Sequence, residues 1–153
     1  MIKATNKEDN VFKKFEEHTA LMKNILNVNP TVLVGEDAKK YLDERGYRLL
    51  NGGFDKNTNT VVVKKAKRLL TLAHEMRHAW QFENSVKYNF EFPEGRQMIY
   101  FFRRKEWDAN YYAFKYGWNS DMKLNAVIYF LGSVNFLGMW VIVFALLIFK
   151  IVI

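Results

Sequence analysis

His74, Glu75 and His78 form the pattern H-E-x-x-H inside Leu69-Leu70-Thr71-Leu72-Ala73-His74-Glu75-Met76-Arg77-His78-Ala79-Trp80-Gln81, a run with helical character throughout. Residues four apart on a helix share a face, so His74 and His78 can point two imidazoles at one metal ion. Glu75 falls on the flank of that face, where a carboxylate can take a proton from water. A d¹⁰ zinc ion with an open coordination position suits this set, with the glutamate as general base. The neighbours Leu69, Leu70, Leu72, Ala73, Met76, Ala79 and Trp80 make the helix mostly apolar. The two histidines are therefore expected to be partly buried, and buried imidazoles need partners. Only three histidines occur in the whole chain, and two of them are here.

Two histidines are too few for a catalytic zinc site, which takes a third protein ligand. The extension H-E-x-x-H-x-x-G-x-x-H fails, because Gln81 and Asn84 stand where Gly and His belong. His18, on the apolar side of an amphipathic segment, is expected to be structural. The chain has no cysteine, so thiolate ligands, thiol nucleophiles and disulfides are excluded. The third ligand is then a downstream carboxylate, from Glu83, Glu91, Glu94, Glu106, Asp108 or Asp121. Glu83 lies beyond useful reach on the same helix, and Glu91 and Glu94 fall in an aperiodic stretch. Glu106 is mid-helix, with Ala109 three residues on to allow close helix packing. Asn110, four residues on, shares its face and is placed to hydrogen-bond a ligating histidine.

Glu106-Trp107-Asp108-Ala109-Asn110, following His74-Glu75-x-x-His78, resembles the E-x-x-A-[D/N] signature of small gluzincins. These include the ImmA/IrrE-type peptidases of mobile elements and the HtpX-like membrane peptidases. The match covers about Asn59 to Gly117. The resemblance implies Zn²⁺ held by His74, His78 and Glu106, and Glu75 as the general base of peptide-bond hydrolysis on a protein or peptide substrate. In such peptidases the strand before the metal helix is commonly a sheet edge that pairs with extended substrate. The strand at about Thr58 to Lys64 is expected either in that role or as an ordinary core strand. Arg77 departs from the smaller residues of many relatives and is read as a bias toward acidic substrates. No Met-Pro follows the second helix as in ImmA-type chains, and an SprT-like third histidine is missing. An aspzincin arrangement with Asp108 as ligand is the competing assignment. Tyr111 and Tyr112 are the candidates for stabilising the transition state.

The elements that must position these residues follow from periodicity. About Lys7 to Leu26 repeats apolar residues at three-and-four spacing and predicts a helix. Thr31–Val34 reads as a strand, Glu36–Arg45 as a short helix closed by Gly46, and Tyr47–Leu50 as a possible strand. Asn51-Gly52-Gly53 is a turn signal, and Asp55–Asn57 a hairpin turn. Lys64, Lys65, Lys67 and Arg68 form a basic cluster at the entry to the metal helix. Phe82 to Gln97 reads as a loop, and Met98 to Tyr116 as the second ligand helix ended by Gly117. The fold class is α+β: a minimal zincin domain over 1–120, with a short sheet and two ligand helices.

Residues 126–149 carry no charge and are bounded by Lys123 and Lys150. At about 1.5 Å per residue such a helix exceeds the roughly 30 Å of bilayer hydrocarbon, so 124–150 is expected to be a C-terminal transmembrane helix in a lipid bilayer. Arg103, Arg104, Lys105, Lys115 and Lys123 on its N-terminal side place the catalytic domain in the cytoplasm, anchored through a single pass. The formal charge of +7 is dispersed and accompanies no nucleic-acid motif, so no nucleic-acid partner is expected. The resulting expectation is a membrane-anchored zinc endopeptidase. Its rival is a catalytically inactive zincin-fold module that serves interaction or sensing.

Overall fold

The structure is a computed structural model that describes residues 5–85 and 104–132. Helix α1 (Thr5–Leu26) is followed by strand β1 (Thr31–Val34), helix α2 (Glu36–Glu44), strands β2 (Gly52–Asp55) and β3 (Thr60–Val63), and helix α3 (Leu69–Glu83). Helix α4 (Arg104–Asn119) comes next, and residues 123–132 are again helical.

The three strands lie in the order β1-β3-β2, with β1 parallel and β2 antiparallel to β3. β3 is therefore central, and all four of its residues are buried. Its uninterrupted β-branched run reflects cover on both faces. Val61 and Val63 join Phe15, Met22 and Leu26 of α1 and Leu72, Ala73 and Met76 of α3 in the main core. Val62, pointing the other way, packs with Ala38 and Leu42 of α2. This settles the alternative left open for the strand before the metal helix. It is a core strand, and the edge beside α3 is β2.

Strand and turn exchange places around residue 50. Tyr47–Leu50 is a turn, closed by the Leu50 N–H donating to the Tyr47 carbonyl at 3.0 Å, while Gly52 and Gly53 open β2 instead of forming a turn. The reason is steric. A Cβ on Gly52 would stand 2.6 Å from Thr71 Cγ2 and 2.9 Å from the Val62 carbonyl, so only glycine lets this strand lie against α3. The tight hairpin turn that follows is held by the Asn57 N–H donating to Asp55 Oδ1 at 2.9 Å. Helix α2 ends as expected at Gly46, φ 76°, where Gly46 N–H reaches the Asp43 carbonyl and Tyr47 N–H the Leu42 carbonyl in a Schellman arrangement.

Gly117 does not end the second ligand helix, which runs on to Asn119. Its missing side chain makes room: a Cβ there would lie 2.7 Å from Leu70 Cδ2 and 2.8 Å from Ala126 Cβ. Ala126 is fully buried at this contact, and Tyr129, one turn on, packs against the main core. Phe130 meets Phe114 of α4 with ring centres 5.0 Å apart.

The transmembrane helix expected over 124–150 is corrected accordingly. No helix among the described residues is long and apolar enough to cross a membrane, and the rest of that segment, 133–150, lies outside them. At its start Ala126 and Tyr129 pack against protein, the former in the seat that Gly117 opens, while Leu124, Ile128 and Leu131 are exposed. The single-pass, cytoplasm-facing placement inferred from that helix falls with it. The expected loop also lies largely outside the described residues, since α3 continues to Glu83 and 86–103 are not described.

Candidate metal centre

Helix α3 carries both histidines on the face turned toward α4. Ala109 and Ala113 of α4 are fully buried against it, and these small residues let the two helices approach closely. That approach delivers Glu106, 3% exposed, from the first turns of α4 to the two imidazoles. His74 Nε2 and His78 Nε2 are 3.0 Å apart, and Glu106 Oε2 lies 3.5 Å from the first and 3.4 Å from the second. A tetrahedral zinc with bonds of about 2.0–2.1 Å separates its ligand atoms by roughly 3.3–3.4 Å. The triangle of donor atoms fits that ion, and the two nitrogens and one carboxylate oxygen match its ligand preferences.

Glu75 also offers a carboxylate oxygen within 4.8 Å of the histidine nitrogens. Adjacent to His74 in sequence, it is rotated about 100° around the helix from that residue. This leaves it beside the triangle that Glu106 completes. Burial pushes its carboxyl up, opposed by His74 and His78 and reinforced by Glu106; the net direction is upward. Burial also opposes the charge on Glu106, but hydrogen bonding and charge from the two histidines outweigh it and hold that carboxyl well below the ordinary range. One buried carboxyl is thus favoured as an anion and the other is pushed toward its neutral form.

Asp108 is placed differently. Arg77 grips it in a two-pronged pair, Nε to Oδ2 at 2.7 Å and Nη2 to Oδ1 at 3.0 Å. Gln81 Nε2 donates to the same Oδ2 at 2.8 Å. Burial raises the Asp108 carboxyl, but these bonds hold it below its usual value. With both oxygens engaged, Asp108 is turned away from the triangle, and the aspzincin arrangement has no geometric support. Arg77 is equally committed. Besides Asp108, its guanidinium stacks 3.7 Å from the Trp80 ring and faces Tyr112 at 5.4 Å, so it is a brace between helices.

His78 Nδ1 bonds Gln81 Oε1 at 2.8 Å. Gln81 fills the outer position for which Asn110 had been read, and its spacing three residues from His78 on the same helix was the available signal. His74 is supported by other means. Its Nδ1 is buried without a hydrogen-bond partner, and its ring stands edge-on to Tyr129, with centres 6.5 Å apart. Burial, then Glu75 and Glu106, push the Tyr129 phenol well up. Tyr111 is exposed, and the Tyr112 hydroxyl is buried without a partner, so neither reaches the triangle through a bond. His18 is structural: its Nδ1 bonds the Tyr116 hydroxyl, joining α1 to α4.

A cleft of about 980 Å³ opens on the triangle, reaching Glu75, His78 and Glu106 from the side of β2 and α2. Gly52, Gly53, Phe54 and Asp55 form one wall, and Tyr41, Tyr47 and Leu50 part of the other. The cations at this opening are Arg45, Lys56 and Lys105, not the Arg77 expected there.

No family model, curated protein or solved structure matches the chain. The resemblance to gluzincins therefore rests on the two motifs.

Proposed function

We propose that the chain is a zinc-dependent peptidase. The observation that carries this is the triangle of His74 Nε2, His78 Nε2 and Glu106 Oε2, with edges of 3.0, 3.5 and 3.4 Å and Glu75 at its flank. His74, His78 and Glu106 would hold the ion, and three protein ligands leave a coordination position for water or substrate. Zinc bound there supplies Lewis acidity to the scissile carbonyl and lowers the pKa of water. Glu75, raised by burial, takes the proton of the attacking water and returns it to the leaving amine.

The cleft suits an extended peptide. β2 pairs only with β3 among the described residues, so its outer edge offers backbone groups to a substrate strand alongside Glu75. The two glycines at its start leave that approach without side chains.

The test is metal content of the purified chain beside cleavage of a denatured-protein substrate such as casein. The expected outcome is one zinc per chain, retained by Glu75→Gln while hydrolysis falls about 10²–10⁴-fold. A well-folded wild-type chain that takes up no zinc would reject the reading. Zinc uptake with no cleavage of any peptide pool would leave the inactive binding module in its place.

A further inference from the structure

β2 begins with two glycines, and only one of them is explained by packing. A Cβ on Gly52 would collide with Thr71 and the Val62 carbonyl, whereas a Cβ on Gly53 would meet nothing within 4 Å. The positive-φ glycines are Gly35 and Gly46, so the backbone at Gly53 does not demand glycine either. A glycine inside a strand loses more conformational freedom than other residues and packs nothing. What Gly53 does is leave a space.

Gly53 pairs with Val62, so both lie on the sheet face that carries α2. There the buried Leu42 and Val62 form a floor, and Tyr41, Tyr47 and Leu50 stand around it in the cleft. Tyr47 is 56% and Leu50 46% exposed. Yet their turn is pinned, with Tyr47 N–H donating to the Leu42 carbonyl at 2.8 Å and Leu50 N–H to the Tyr47 carbonyl at 3.0 Å. Apolar side chains held in water on a fixed turn beside a cleft mark a surface that an apolar partner covers. The far end is electrically closed. Arg45 Nε lies 3.3 Å from Asp55 Oδ2, and the Tyr41 hydroxyl donates to the same oxygen at 2.7 Å, so that pair turns no net charge toward the space.

We infer that the space over Gly53 is a side-chain subsite for a bulky apolar residue of an extended peptide substrate. This rests on the peptidase reading above and adds its substrate class. A peptide strand paired on the outer edge of β2 sets its residue opposite Gly53 with the side chain on the α2 face. That side chain enters between Tyr41, Tyr47 and Leu50 and takes the last two out of water. Successive residues alternate faces, so the neighbour opposite Gly52 turns to the α3 side, where Gly52 lies against Glu75. The subsite therefore reads the residue next to the one that faces the metal centre. Leucine or phenylalanine fills it, glycine leaves its walls wet, and aspartate would lose water against them.

The test uses fluorescein-labelled decapeptides of Ser and Thr that differ in one central residue: Phe, Leu, Gly or Asp. Binding is read by fluorescence anisotropy on the metal-free full-length chain and on zinc-loaded Glu75→Gln, and cleavage on the zinc-loaded wild type. The Phe and Leu peptides are expected to bind about tenfold more tightly than the Gly and Asp peptides. Gly53→Val fills the space and should abolish that preference. Its zinc content and Tm should not fall, since valine suits a strand better than glycine. Leu50→Ser, at an exposed position of the wall, should weaken binding of the Phe and Leu peptides and leave the other two unchanged.

Equal binding of all four peptides by the wild-type chain would overturn the subsite, as would a preference that survives Gly53→Val. If Gly53→Val does not fold, Leu50→Ser decides in the same terms. Cleavage without any preference keeps the peptidase and rejects the subsite. Tighter binding of the Phe and Leu peptides by a chain that takes up no zinc keeps the subsite and rejects the peptidase.

Discussion

The two histidines of one helix face are supported in opposite ways. His78 is tied through Nδ1 to Gln81 and from there to Asp108 and Arg77, a run of directed hydrogen bonds that ends in an ion pair. His74 has a buried Nδ1 with no hydrogen-bond partner and is backed by the edge of the Tyr129 ring. One ligand is held by directional polar bonds, the other by the shape of a packed wall. Polar bonds fix a tautomer and an angle, whereas ring packing fixes only position. The stiffness of the site is therefore expected to reside on the α4 side, and its capacity to adjust on the side of residues 123–132.

Glu106→Ala should have the largest effect, because both histidines lean on that carboxylate. Zinc is expected to be absent from the purified variant by elemental analysis, and a variant that keeps a full equivalent would place the third ligand elsewhere. The asymmetry itself is tested by removing one support at a time. Gln81→Leu should weaken zinc binding about 10–100-fold, while Tyr129→Leu should change it by no more than about threefold, since it removes a ring contact and leaves His74 Nδ1 as it was. Equal losses in a chelator competition would abolish the distinction drawn between the two ligands. Gly117→Ala acts on the His74 side through packing. The added methyl has no room against Leu70 and Ala126, so a cost of about 1–3 kcal/mol in denaturant unfolding is expected, with zinc affinity kept.

The smallest effect belongs to Asp55, at the far end of the cleft. Burial raises its carboxyl, but bonds from Tyr41 and Asn57 and the charge of Arg45 bring it below its usual value. A carboxyl lowered in the folded state stabilises the fold above its unfolded pKa. That contribution is lost as pH falls below about 4 and through the lower folded value. Asp55→Asn should therefore cost about 1–2 °C in Tm near neutrality and nothing once Asp55 of the wild type is protonated. A constant difference across thermal melts from pH 7 to pH 3 would contradict the assignment.

The parts of the molecule written in local pattern were legible in the sequence. The helical period gave α1 and α3, the β-branched run gave β3, and Gly46 gave the end of α2. The triangle followed from residue type and the four-residue spacing, with the resemblance singling out Glu106 before any coordinate placed it beside the histidines. What escaped is decided by contact between distant segments. Gly52 and Gly53 read as a turn because Thr71, the neighbour of Gly52, lies nineteen residues beyond it, and nothing local announces a strand pressed onto a helix. Gly117 read as a helix end for the same reason, since its partner Ala126 comes after a bend. Arg77 and Asp108 were each read singly, as a specificity residue and a rival ligand, because nothing in a linear sequence shows that they hold each other. The uncharged run from 126 carries one signal, apolarity, and that signal does not say that Ala126 and Tyr129 turn to protein while Ile128 and Leu131 stay exposed.

The seat that Gly117 makes for Ala126 also changes where the unit that carries the candidate metal centre ends. Tyr129 reaches His74 only because residues 123–132 fold back at that seat, so the wall behind the first ligand is built by chain that follows the second ligand helix. Shortening the protein at Asn119, a natural place to cut on sequence grounds, would strip the wall behind His74 and not merely remove a tail.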